Sequence, residues 1–377
     1  MLKFTVTKTE LNKVLPALKS VRDKNHIKAA LGCVQISTGD YDNSVVFSVT
    51  DAEMSVRLPV SVGIDQDGDG AVLVNLEAFA KVISKSKQKT FLIKEENGKL
   101  MINTIGDNYV TIPIFTGDDY PEMFGDAIHG SYPIGMNADR LHELISTAIV
   151  STATQDAKES YKAMHIRYAK DSLTLATTNG NRLSEASCKV FKQDVESVIM
   201  VKADHMKKAM KILAKLKKGH ISFEILDRCL LITSREMVVI INKFDVQFPE
   251  YKKVLPALKW QNHVYVNREE LKNVMAEIIP IIDGQENFSV KLESGEQSLK
   301  VSNPEDDAEI GFDYTLDAEY EQDEFLIRVD PSYLFDALKT CDSEKVALEI
   351  ISEREPLVIR TDDSVHLIGS VRKPDKR

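Results

Sequence analysis

Apolar residues along this chain follow two periods by turns, every second position in some stretches and every third or fourth in others. Six stretches of the second kind share one ten-residue frame. The frames begin at Val6, Val74, Met136, Val201, Val266 and Val329, 62 to 68 residues apart. The sixth position is apolar in every copy (Leu11, Phe79, Leu141, Met206, Leu271, Leu334), and so is the tenth (Leu15, Ile83, Ile145, Met210, Met275, Leu338). The second is Thr7, Asn75, Asn137, Lys202, Asn267 and Asp330, five of them residues that cap a helix well. Each frame predicts the end of a strand, a cap and an amphipathic helix, and six copies in register predict a built-in pseudo-symmetry.

Period-two runs follow each frame, as in Tyr109 to Ile114, Ile221 to Ile225 and Phe288 to Leu292. They mark half-buried antiparallel strands. Glu96-Asn97-Gly98 and Ser294-Gly295 break them as hairpin turns. One unit therefore reads as a helix plus about four strands, and two units as a domain of two helices and two sheets. Pairing the units puts joints near Gly117–Gly130 and Phe248–Gln261, giving domains 1–125, 126–256 and 257–377. Both joints hold an aromatic residue followed by Pro-Glu (Tyr120-Pro121-Glu122 and Phe248-Pro249-Glu250), a stiff connector.

Composition narrows the class. At 43% hydrophobic, a chain of 377 residues can bury a core in each of three domains. No apolar run approaches the length of a membrane span, and strand alternation from Met1 leaves no room for a signal peptide. Cys33, Cys188, Cys229 and Cys341 form no CxxC pair and read as reduced thiols. A cytoplasmic protein without membrane contact is expected. The net charge of −10 argues against nucleic acid, but its distribution does not. Between His205 and Phe223 there is no acid, only Lys207, Lys208, Lys211, Lys215, Lys217 and Lys218.

Local motifs name a family. Leu175-Ala176-Thr177-Thr178-Asn179-Gly180-Asn181-Arg182-Leu183 and Phe248-Pro249-Glu250-Tyr251-Lys252-Lys253-Val254-Leu255-Pro256 resemble the ATDGHRL and FPDYRRVLP stretches of the bacterial sliding clamp, the beta subunit of DNA polymerase III. Phe4-Thr5-Val6 and Thr50-Asp51-Ala52-Glu53-Met54 are weaker echoes in the right order. The resemblance implies an α+β fold: three tandem domains of the DNA-clamp fold, each two helix-plus-antiparallel-sheet units, closing into a head-to-tail dimeric ring. Twelve helices spaced about 10 Å apart would make a circle about 38 Å across at the axes, with a hole of about 28 Å. A hole that loose cannot read base edges, so duplex DNA would be held without sequence preference, through phosphates.

DNA-facing candidates are the stripe Lys208, Lys211, Lys215 and Lys218, with Lys81 and Lys85 on the second helix, and Arg22, Lys24 and Lys28 after the first. Arg268 and Lys272 lie among acids, so charge should be uneven around the ring. The resemblance also implies a cleft that takes extended peptides from the replicative polymerase, the clamp loader and repair enzymes. Its walls would be Thr178, Gly180, Arg182 and Leu183, then Pro249, Lys253 and Val254, with Lys158 and Tyr161 at the rim and Ile368, Val371 and Arg372 closing it. Two departures stand here: Gly369-Ser370-Val371 where the family has Met-Pro-Met, and Asn181 for its His. They imply a different partner motif, as a phage or mobile-element copy would have. By resemblance, Glu305, Asp306, Asp307 and Glu309 lie near the dimer edge.

Other classes fare worse. Asp65-Gln66-Asp67-Gly68-Asp69-Gly70 mimics a calcium loop, but its twelfth position is Leu76, and it reads as a hairpin turn. With no metal spacing, phosphate loop or nucleophile motif, neither a cofactor nor catalysis is expected. The rival reading is a repeat scaffold that binds proteins without encircling DNA, which gives no reason for lysine to segregate.

Overall fold

Strand, helix and three further strands recur six times in the computed structural model. It describes every residue except 23–27, 39–42, 64–69, 107, 117–119, 122–132, 154–156, 192–194, 216–218, 256–261, 285–287, 305–310, 321–323 and 373–377. The helices of the repeats are α1 (Lys8–Val21), α2 (Leu76–Lys85), α3 (Ala138–Ala148), α4 (Ala203–Leu213), α5 (Arg268–Ile282) and α6 (Pro331–Lys339). Four start as the frame predicts: Thr7, Asn75, Asn267 and Asp330 each accept a backbone N–H of the first turn, and Pro331 stands where a helix needs no donor. All the apolar frame residues are buried except Met136 and Met210, which are half-buried.

Contacts divide the chain into two units, residues 1–142 with 204–243, and 143–203 with 244–377. Each unit holds one twelve-stranded sheet. The middle third is shared because its last strands pair with strands of other repeats. In the first unit Met54–Ser61, ending repeat one, runs antiparallel to Met237–Asn242, ending repeat four. In the second, Arg182–Lys189 of repeat three runs against Ser364–Ile368 of repeat six. The last strands of repeats two and five differ. Tyr109–Phe115 pairs with Lys99–Asn103 through Tyr109 to Pro113, and meets Ala71–Asn75 only through Ile114 and Phe115. Asp313–Tyr320 pairs with Ser298–Ser302 through Asp313 to Asp317, and with Asn262–Asn267 only from Ala318 on. Residues 109–113 and 313–317 thus each have one open edge among the described residues. Among these residues also, no helix is long and apolar enough to cross a membrane.

The two internal seams share one turn. At the first, Thr50 Oγ1 accepts Ala52 N–H (3.0 Å) and donates to the Met54 carbonyl (3.1 Å), while Asp51 Oδ1 accepts the N–H groups of Glu53 (3.1 Å) and Met54 (2.7 Å). At the second, Thr178 and Asn179 make the same four bonds with Gly180, Arg182 and Asn181, at 2.7 to 3.1 Å. Both turns pass through positive φ, at Ala52 (74°) and Gly180 (93°).

A helix holds each turn through the fifth and eighth residues of its frame. On α4 these are His205 and Lys208, whose nitrogens lie 3.2 and 2.9 Å from Asp51 Oδ2. Burial alone would raise the Asp51 pKa, but the bonds and charges of His205 and Lys208 hold it far below the carboxylate range. On α6 they are Tyr333 and Asp336. Asn179 reaches the Tyr333 hydroxyl (3.3 Å), and Arg182 lies 4.3 Å over the Tyr333 ring while bonding Asp336 at 2.8 Å. The polarity is inverted: the turn carries the anion at one seam and the cation at the other.

The strand pairs also differ. Val56 faces Val239 at the first seam, both fully buried. The counterpart pair is Ser184 and His366, in a buried chain from Ser151 through Ser184 (2.7 Å) and His366 Nδ1 (2.8 Å) to Thr340 at Nε2 (3.0 Å).

Two outcomes are expected. Lys208→Met leaves the Asp51 carboxylate without its lysine and with His205 as its one side-chain partner on α4, and should cost about 3 kcal/mol in urea unfolding, most of it recovered in Asp51→Asn/Lys208→Met. Burial holds the His366 pKa near 4 with help from the Arg182 charge, and that of His165 near 4 with help from Arg167. The unfolded chain takes those protons near pH 6.5. Stability should therefore fall as pH drops from about 6.5 to 4, by up to about 1.4 kcal/mol per pH unit for each histidine. Asp51 adds its loss only below that window. Thermal midpoints of His366→Gln should show roughly half the slope.

Candidate nucleic-acid face and partner cleft

The basic helices present lysine opposite their buried faces. On α2, Leu76, Phe79, Ala80 and Ile83 are buried, whereas Lys81 and Lys85 are exposed, as are Lys87 and Lys89 beyond it. On α4, Met206, Ala209, Ile212 and Leu213 are buried and Lys211 is exposed. Two other members of the α4 stripe are engaged. Lys208 is held by Asp51, an acid from a distant turn that no inspection of the helix sequence would supply. Lys215 Nζ donates to the Lys13 carbonyl (2.9 Å), and partial burial lowers its pKa. Arg22 closes α1 and pairs with Glu77 at 3.4 Å, largely covered, while Lys28 is exposed. Lys24 and Lys218 lie outside the described residues. On α5, Glu269 pairs with both Arg268 (3.3 Å) and Lys272 (2.5 Å).

The residues assigned to a peptide cleft converge on the second seam. Two constraints call for glycine at 180: its φ is positive, and a Cβ there would sit 3.0 Å from the Tyr161 hydroxyl and 3.1 Å from its ring. Lys158 Nζ lies 5.9 Å from the same ring. Leu183 is buried with Ala163, Ala176, Phe248 and Tyr251. This cluster anchors the segment that carries Pro249, Lys253 and Val254. His165 packs 5.2 Å from Phe248 and 5.8 Å from Tyr251, and Lys252 bridges to Glu185 at 2.6 Å. Lys253 pairs with Glu250, and Val254 is 49% exposed.

The end of the chain closes onto the turn. Ile368 is buried opposite Arg182, Gly369 N–H donates to the Asn181 carbonyl (2.8 Å), and Val371 N–H to the Arg328 carbonyl (2.8 Å). Arg372 is exposed. A Cβ on Gly369 would lie 2.7 Å from the Asn181 oxygen. The two departures from the family pattern are thus in contact with each other. Tyr333 and Asp336, which hold Arg182, were not among the expected residues. Their shared frame positions with His205 and Lys208 were the available signal.

Glu305, Asp306, Asp307 and Glu309 fall outside the described residues, as do residues 65–69, where a hairpin turn was expected. Their segment links Ser298–Ser302 to Asp313–Tyr320, which has an open edge. Among the described residues no group of three or more His, Cys, Asp or Glu could hold a metal ion.

Comparison with known proteins agrees along the whole chain. Models of the DNA polymerase III beta subunit match as its N-terminal domain over residues 2–124, its central domain over 135–250 and its C-terminal domain over 252–368. The beta sliding clamp of Bacillus subtilis is 21% identical, covering 98% of this chain and all of that protein; that of Pseudomonas putida is 21% identical over 98% and 99%. The fold matches the Bacillus subtilis sliding clamp structure (TM-score 0.89, 20% identity, 99% of each chain). It also matches the Thermotoga maritima beta subunit (TM-score 0.85, 19% identity, 99% and 100%). Since the three domain models follow one another in order from residue 2 to residue 368, the chain belongs to the DNA polymerase III beta subunit family.

Proposed function

We infer that this chain is a sliding clamp that closes head to tail with a second copy around duplex DNA and tethers the polymerase to it. The observation that carries the reading is the pairing of last strands. Repeat one joins repeat four and repeat three joins repeat six, each three repeats on. Repeat five would join repeat eight, which is repeat two of another chain. The open edges of repeats five and two are the ones that remain. Such an interface is heterologous, and two copies closing it twice make a ring. The domains 1–125, 126–256 and 257–377 would then be three equivalent arcs of each protomer.

The mechanism needs no catalytic residue and no cofactor. Exposed Lys28, Lys81, Lys85 and Lys211 would offer screened, sequence-blind phosphate contacts, which permit sliding. The cleft at the second seam would take an extended peptide of the polymerase, the clamp loader or a repair enzyme, with an apolar anchor against Leu183 and its neighbours. Cytoplasmic action goes with this role.

Light scattering should find twice the chain mass, and the protein should stay on nicked circular DNA but run off the linear form. A monomer at every concentration and salt would sink the reading. Lys85→Ala with Lys211→Ala should leave thermal stability unchanged and lower the salt slope of DNA retention by about 2. Gly369→Met must drive the Asn181 carbonyl back. It should therefore change affinity for clamp-binding peptides at least about ten-fold while leaving retention on circular DNA intact; unchanged affinity would remove residue 369 from the cleft.

A further inference from the structure

Internal equivalence fixes the register of the open edges. At the internal seams the Asx residue of the turn accepts the N–H of the first paired residue, Met54 from Asp51 (2.7 Å) and Arg182 from Asn179 (2.9 Å). In repeat five Asn303 Oδ1 accepts Phe312 N–H (2.6 Å), so Phe312 is the third member of that set. On the opposing strands, Ile241 pairs inward with Leu230, Ile368 with Leu357, and Ile112 with Leu100. Two residues later Ser370 meets Val329 and Ile114 meets Val74, both the first residue of a frame. Ile112 therefore corresponds to Ile241 and Ile368. Since Met54 faces Ile241 and Arg182 faces Ile368, Phe312 belongs opposite the partner's Ile112, and Tyr314 opposite the partner's Val110.

Two ties of the internal seams are missing from this third set. Asn242 N–H donates across the first seam to the Glu53 carbonyl, and Gly369 N–H across the second to that of Asn181, both at 2.8 Å. The corresponding residue on the open strand is Pro113, which has no N–H. Its nitrogen faces outward, because the next N–H, of Ile114, points inward to the Gly98 carbonyl (3.2 Å). The helix tie is also changed. At the fifth and eighth frame positions α2 carries Ala78 and Lys81, against Asn303 in place of Asp51 and Asn179, and Phe312 in place of Met54 and Arg182. Ala78 has no side-chain group to bond the turn.

Resting on the head-to-tail closure inferred above, we propose that the seam between protomers keeps the internal register, Tyr314 against the partner's Val110, and that Pro113 makes it the weakest of the three. The partly buried Phe312 and Tyr314 rings, 6.4 Å apart, and the 38%-exposed Val110 supply the apolar strip for a second copy.

Tyr314 and the partner's Val110 would form a non-hydrogen-bonded pair, with Cα atoms about 4.5 Å apart, inside disulfide range. Oxidised Val110→Cys/Tyr314→Cys should run as a covalent dimer on a non-reducing gel, whereas Val110→Cys/Phe312→Cys, two residues out of register, and the parent chain should not. Stronger cross-linking of the shifted pair, or none from either while light scattering still shows a dimer, would overturn the register alone. Absence of the dimer would instead overturn the closure. Pro113→Ala restores the donor and should slow exchange of labelled protomers about five-fold per seam. Unchanged or faster exchange in a dimer would show that Pro113 does not set the weak point.

Discussion

A strand edge must be paired, covered or left as an invitation to another chain, and this requirement organises the molecule. Each repeat ends in a strand whose outer edge that repeat cannot satisfy alone. Repeats one and four, and three and six, satisfy each other and extend each unit into one twelve-stranded sheet. The cost of exposed backbone donors and acceptors is thereby met without closing any single domain on itself. Contacts consequently divide the chain through the middle third instead of at the joints that the Pro-Glu signatures suggest. Ordering by thirds belongs to the sequence, and ordering by seams to the hydrogen bonds.

The seams show how a repeated scaffold diverges without losing its geometry. The same turn, with the same four local bonds, is held by a helix through the same two frame positions, yet the charges are exchanged. Ion pairs in largely covered places are costly to desolvate, so either polarity adds less to stability than to fixing which turn meets which helix. A turn from the second seam set against α4 would bring Arg182 to Lys208. The strand pairs add to that selectivity. Val56 with Val239 is an apolar contact indifferent to partner, whereas Ser184 with His366 demands Ser151 and Thr340 to complete it.

Much of the local structure was legible because it is written locally. Cap, apolar first, sixth and tenth positions, and period-two runs located all six helices, and even the weakly capped α4 follows the frame. What could not be read depends on contacts between distant segments. The acid-free stretch from His205 to Phe223 suggested a free cationic stripe, but Asp51, more than 150 residues earlier, takes Lys208 out of it. Likewise the resemblance carried by Thr178 to Leu183 implied a cleft wall, while nothing near Arg182 announced Tyr333 and Asp336. Pro113 read only as part of an alternating strand; its meaning appears when the N–H groups of Asn242 and Gly369, at the corresponding positions of the internal seams, are known.

The altered end of the chain is best understood as one change instead of two. Residue 181 presents its carbonyl, not its side chain, to residue 369, and the separation leaves no space for a Cβ. A side chain at 369 and the present position of the 178–182 turn are therefore exclusive. Once glycine occupies 369 the turn can hydrogen-bond the end of the strand, and Ser370 and Val371 continue onto the edge at Val329 and Arg328. The exposed Asn181 side chain is then free of any packing duty toward the floor. Methionine gives a floor that adapts to many anchors; a backbone zipped to a turn gives a fixed one. On the proposed reading, a peptide entering this cleft would have to bring a shape that suits a rigid wall.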